Sequence, residues 1–256
     1  MRKFLSYFLA VFVIFLAWAL ASWIIVLVRG RILLPYPWDT FAVGFAHRGE
    51  FLAAFGASAR RFALSLALAF ATGLPLGLVI GASDRLNRWL SPLIYLLYPV
   101  PPVALLIILY MIFGIGEAVK VVVIAATLFF QILVASIGAA RNISPSHILS
   151  VLSAGANVLQ LHRHVVLPAV LPDVFTAARV SVGLGITILY IAETMLGVMG
   201  GPASGLGNFT YTYTMRPDLS MAGVVGLSLL GLGFYALLEI LERWICRWRY
   251  AGKSEG

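Results

Sequence analysis

Residues Phe62 to Ser83 read FALSLALAFATGLPLGLVIGAS, 22 consecutive positions without a charged side chain. A helix needs about 20 mostly apolar residues to cross the hydrocarbon core of a bilayer, where no water is present to satisfy its backbone. The stretch is therefore read as a transmembrane helix. Within it Gly73, Gly77 and Gly81 recur every four residues and share one face, where a second helix can approach closely. Pro75 removes one backbone donor from the same segment.

The pattern repeats on both sides. Charge-free runs extend from Phe4 to Val28, Trp89 to Gly116, Val121 to Ala140 and Leu219 to Leu238. A further run, near Ala177 to Val198, is apolar except for Arg179 and Glu193. The spans are placed at residues 4–28, 60–82, 90–113, 119–140, 177–198 and 219–241, in one domain covering residues 1–256. The fold class is all-α, a polytopic membrane bundle of about six helices. Composition agrees: 61% of residues are hydrophobic and 11% charged, against roughly 25% charged in a soluble domain. A single cysteine, Cys246, excludes an intrachain disulfide and a cysteine-rich metal site. The net charge of +8 is scattered between apolar runs, which suits an anionic membrane face and not nucleic acid. Ala19-Leu20-Ala21 resembles a signal cleavage site, but the first run outlasts the roughly 7–15 residues of a signal h-region, so it is read as an uncleaved span.

Six spans put both termini on one side, and more Lys and Arg fall on that side, which makes it cytoplasmic. The outer segment Leu33 to Ala59 opens with Leu34-Pro35-Tyr36-Pro37 and continues as an amphipathic, interfacial helix. The outer loop Met199 to Asp218 is rich in Gly, Thr and Tyr, and the longest inner loop is 141–176. In that inner loop Ile148, Leu149, Leu152, Leu159 and Leu161 line one side of a short helix interrupted near Gly155. Such a face is buried against something, either the lipid surface or a groove on another protein. Leu167-Pro168 and Leu171-Pro172 are expected to turn the chain back toward the membrane, because a residue preceding proline avoids helical geometry.

Gly155-Ala156 followed by Val166-Leu167-Pro168-Ala169-Val170-Leu171-Pro172 resembles the cytoplasmic signature loop of ABC-importer permeases. The family's Glu-Ala-Ala triplet ahead of the glycine is missing; its positions hold Leu149, Ser150 and Val151. Four further stretches resemble the nitrate, sulfonate, taurine and bicarbonate subfamily. These are Thr72 to Gly81, Tyr98-Pro99-Val100-Pro101-Pro102-Val103-Ala104, Phe113 to Lys120, and Ala192-Glu193-Thr194-Met195-Leu196-Gly197 with Gly205-Leu206-Gly207 beyond. The resemblance implies a type I importer permease fold, a five-helix core with one additional N-terminal span. It further implies a bacterial inner-membrane location, a second copy of the permease, and ABC ATP-binding subunits docked on the coupling helix. Leu149, Leu152, Gly155, Ala156, Leu159, Leu161 and Pro168 are the docking positions it points to. An extracytoplasmic substrate-binding protein would deliver the solute. ATP and magnesium would sit on the partner subunit, and this chain would bind no cofactor. Small polar solutes are implied, with sulfonate, taurine or nitrate-like anions favoured; a vitamin precursor such as a pyrimidine is the alternative.

Glu193 is the acid placed deep in a span, about 21 Å along the helix from Arg179. A carboxylate there costs about 2.5–3.5 kcal/mol on insertion scales, so it should face protein or water. It either lines an outer gate or caps the Gly-rich outer loop through backbone N–H groups. Pro99 and Pro101 break the third span, as a pathway lining or as simple kinks. Tyr190 is a further pathway candidate; like Tyr211 and Tyr213 it otherwise reads as an interfacial anchor. His162, Arg163 and His164 meet either a partner or lipid phosphates. Gly252-Lys253-Ser254 lacks the earlier glycine of a phosphate loop, whose place is held by Arg247. Nothing in the sequence binds ATP, so the energy comes from a partner. A self-sufficient carrier or channel would bury several ionisable residues. An intramembrane enzyme would need paired acids, a Ser/His pair or metal ligands at depth.

Overall fold

The computed structural model describes residues 2–114, 116–198 and 204–251. Ile115, the outer-loop residues Met199 to Ala203, and Gly252-Lys253-Ser254 lie outside the described residues. The described chain is helical: α1 (Arg2–Arg29), α2 (Pro37–Ala46), α3 (Arg48–Ala82), α4 (Asp84–Leu97), α5 (Leu106–Phe113, preceded by a 3₁₀ turn at Pro102–Leu105) and α6 (Glu117–Arg141). Then follow α7 (Pro145–Ser153), α8 (Val158–Leu161), a π-helical turn (His162–Val166), α9 (Leu167–Val198), α10 (Leu206–Thr212), α11 (Pro217–Ile245) and α12 (Arg247–Ala251). Five helices are long and apolar enough to cross a membrane, and six spans result if the bent pair α4–α5 counts as one.

α6 is the centre of the bundle, packed between α3 and α9, with α11 against α9 on the far side. Val123, Ile124, Leu128 and Ile132 of α6 meet Phe62, Leu66 and Ala69 of α3 and Val174, Ala178 and Leu189 of α9 in one core. In lipid, apolar area alone does not hold helices together, so close approach matters more. The glycine row of α3 provides it. A Cβ at Gly77 would clash with Ser136 Cβ on α6, one at Gly81 would lie 2.7 Å from Ala140 Cβ, and one at Gly73 3.1 Å from the Phe129 carbonyl oxygen. α1 is peripheral, its side chains from Leu9 to Arg29 mostly exposed. It is tied by Trp18 Nε1 and the Ser22 hydroxyl, both donating to the Pro35 carbonyl at 3.0 and 3.1 Å.

Three expectations from the sequence change. The interfacial helix expected before residue 60 is α2 together with the first turns of α3, which runs unbroken from Arg48. The third span is not one helix: α4 begins at Asp84, and α4 and the Pro102–Phe113 segment meet at 78°. Pro99, Pro101 and Pro102 remove three backbone donors within four residues, and the helix cannot continue through them. Finally, Pro168 and Pro172 do not turn the chain. Leu167 is helical (φ −60°, ψ −49°), and α8, the π turn and α9 run on as one long helix from Val158. Pro168 follows just after the π turn, where the regular hydrogen-bond ladder is already interrupted.

Candidate functional site

Functional side chains gather at the two ends of the bundle. At the end where α3 and α6 begin and α9 finishes lies a cluster of charges. Arg61 of α3 uses all five of its N–H donors. Its Nε and Nη2 fork onto the Glu117 carboxylate at 2.5 and 2.7 Å. Nη1 donates to Glu193 Oε1 at 2.6 Å and to the Ser204 carbonyl at 2.9 Å, while Nη2 also reaches Ser204 Oγ at 2.5 Å. The Ser58 hydroxyl donates to Glu193 at 2.8 Å and accepts from the Leu206 N–H at 2.8 Å. Gly207 N–H donates to Glu193 Oε2 at 2.8 Å. Lys120 Nζ lies 3.1 Å from Glu117 Oε1. The Arg61 and Glu193 side chains are 1% and 0% exposed, so the pair works in a low dielectric where either charge alone would be costly.

Both Arg61 and Lys120 are thus buried inside the bundle. Glu193 does cap the Gly-rich loop: its carboxylate holds the first turn of α10 through a backbone N–H. Gly205 is needed there, since its φ of +106° is left-handed and a Cβ would run into the Glu193 carboxylate and the Arg61 guanidinium. Tyr190 contributes through its backbone. Its carbonyl accepts from the Thr194 hydroxyl at 2.8 Å and would lie 2.7 Å from a Cβ on Gly207. Tyr211 is exposed; the Tyr213 hydroxyl donates to Glu50 at 2.6 Å, a bond that holds it above the ordinary phenol pKa. Sequence reasoning missed Ser58, Arg61, Glu117 and Lys120. The available signal was the need of Glu193 for a buried cation.

A second ion pair ties α9 to α11 nearer the opposite end: Arg179 Nη2 lies 2.7 Å from Glu242 Oε2, whose other oxygen meets Arg249 Nη1 at 2.9 Å. Between these layers the α4–α5 break leaves Tyr98, Pro99, Val100 and Pro101 on the surface of the chain. The Tyr98 hydroxyl donates to Gln131 Oε1 of α6 at 2.9 Å.

At the far end, α7 closes with a Schellman turn. Ala156 N–H bonds the Val151 carbonyl and Gly155 N–H the Leu152 carbonyl, with Gly155 at φ +85°. Asn157 then starts α8 with a reciprocal capping box to Gln160. Leu149 (62% exposed), Leu152, Val158 and Leu159 (76%) form an outward apolar patch, while Ile148 and Val151 pack inward. Leu161 departs from the expected docking face, because the helix that begins at Val158 turns it into the core. Ala156 and Pro168 are half-buried. His162 and His164 each place Nδ1 on a backbone carbonyl one turn earlier, at 2.9 and 3.1 Å.

Residues 73–247 match the binding-protein-dependent transport system inner membrane component family. The chain belongs to that family. The permease is 30% identical over 190 residues to the taurine transport system permease protein TauC of Escherichia coli, covering 73% of this chain and 69% of that one. It is 28% identical over 208 residues to a putative aliphatic sulfonates transport permease, SsuC, of Bacillus subtilis, covering 78% and 72%. It is 30% identical over 228 residues to the bicarbonate transport system permease protein CmpB of Synechococcus elongatus, covering 86% and 77%. In fold it resembles a chain of the MetNI methionine ABC transporter in an inward-facing form, at 23% identity and a TM-score of 0.59 over 77% of this chain and 94% of that one. The permease is a multi-pass inner-membrane subunit of an ABC importer, and ATP hydrolysis belongs to a partner subunit. The solutes these three relatives are named for do not favour the vitamin-precursor alternative.

Proposed function

We propose that the permease carries a small oxyanion, of the sulfonate, taurine or bicarbonate kind, inward by alternating access as one half of a homodimer. Its solute arrives on an extracytoplasmic binding protein. ATP and magnesium stay on the two ATPase subunits docked beneath. Both termini and α7–α8 face the cytoplasm, so the Arg61–Glu193 cluster lies at the outer face. There it closes the outer gate by tying three spans to the loop that carries Ser204. The solute passes along the broken third span, by Pro99 and Pro101.

The observation that carries this reading is the apolar patch of α7 and α8. Leu149, Leu152, Val158 and Leu159 stand outward on two short helices joined at Gly155, left exposed by the described residues. Such knobs suit a groove on another protein.

Leu159→Glu puts a charge at the centre of that patch. Co-purification with the cognate ATPase should then fail, and uptake in reconstituted vesicles should cease, while membrane insertion persists. The native mass of the wild-type complex should fit two permeases and two ATPases. An L159E permease that still binds its ATPase and transports normally would refute the docking role.

A further inference from the structure

The break in the third span lies at membrane depth beside a polar side chain. Along α6, Gln131 is about 21 Å from Glu117 and about 15 Å from Arg141, well inside the hydrocarbon region. Prolines at 99 and 102 deprive the Tyr95 and Tyr98 carbonyls of their i+4 donors. Irregular backbone is tolerated at this depth only where protein covers it or a water-filled cavity runs past it, and polar side chains there follow the same rule. Yet residues 98–101 lie open on the chain's surface, with Gln131 half-buried behind them.

The neighbouring cations are occupied. Arg61 has every donor engaged, and Arg179 is paired with Glu242. Gln131 differs. Its Oε1 accepts from Tyr98, which fixes the amide plane, and its two Nε2 hydrogens have no acceptor among the described residues. We infer that Gln131 contacts the travelling solute, its amide N–H groups donating to the oxygens of an oxyanion at the break, and that Tyr98 is the positioning residue that orients it. This deepens the oxyanion reading and rests on it. A neutral donor suits the task, because a transient site must bind well enough to admit the anion and weakly enough to release it.

The test uses the assembled importer, with ATPase and binding protein, in vesicles loaded by ATP-driven uptake of taurine, an alkanesulfonate or bicarbonate. Gln131→Leu keeps the bulk and removes the donors. Maximal uptake should fall by about tenfold, the worth of one hydrogen bond. The half-saturating concentration, set at the binding protein, should not move. Gln131→Asn, which keeps an amide, should recover part of the rate, and Tyr98→Phe should lose part of it. The ratio of uptake between two oxyanions should also change in Q131L. Wild-type rate and ratio in Q131L would overturn the inference alone, as would equal losses in Q131L and Q131N, which would mark a packing role. Wild-type vesicles that import none of the oxyanions would overturn it together with the reading beneath it.

Discussion

Arg61 shows what one side chain can organise when nothing around it is wet. Its guanidinium joins α3 to the start of α6 through Glu117, to the end of α9 through Glu193 and to the following loop through Ser204. Removing it leaves a buried carboxylate uncompensated, which costs about 3–5 kcal/mol. Arg61→Leu should therefore lower the thermal unfolding midpoint of the purified permease sharply. Glu193→Gln, which fills the same space and keeps one acceptor oxygen for the donors of Arg61, Ser58 and Gly207, should lower it less. Equal midpoints for R61L and wild type would show that the cluster holds nothing together. The half of this arrangement legible in the sequence was Glu193, since an acid deep in a span demands a partner. The partner was hidden because Arg61 follows Arg60 at the edge of an apolar run and looks like an interface charge. Only the parallel packing of α3 on α6, which no local pattern encodes, brings it to Glu117.

At the scale of the element, sequence and structure agree where a local rule decides and part where packing does. The glycine row of α3 announced a close contact by its spacing, and α6 supplies Ser136 and Ala140 opposite. Gly77→Ala should destabilise the bundle by about 1–3 kcal/mol, because the new Cβ needs space that Ser136 occupies. Gly138→Ala, on α6 where a Cβ meets nothing within 4 Å, should be neutral or stabilise by about 0.5–1 kcal/mol. Thermal melts of the two variants side by side decide the matter; a G77A melt matching G138A would contradict the contact. Proline shows the opposite case. Three prolines within four residues broke the third span as local sterics require, whereas Pro168 and Pro172 were absorbed into α9. The π turn before Leu167 and the packing of Val166, Val170 and Val174 in the core keep that helix on course.

Seen whole, the molecule divides into a close-packed set of helices, α3 to α11, and one helix that scarcely touches it. The family match begins at residue 73, well beyond α1, and α1 adds little burial to the bundle. With both termini cytoplasmic, as proposed above, its expected contribution is to biogenesis. Without α1, the leading span would be α3, whose N-terminal part carries Arg48, Arg60 and Arg61, and those charges would have to be carried across the bilayer against the preference of basic residues for the cytoplasm. Reversing Arg2 and Lys3 to Glu should yield a population inserted upside down, read from the loss of fluorescence of a C-terminal fluorescent-protein fusion exported to the oxidising side. Undiminished fluorescence would assign the steering to later segments. The helix that contributes least to the finished bundle would then be the one that decides which way up it is built, a compass consulted once during synthesis and idle afterwards.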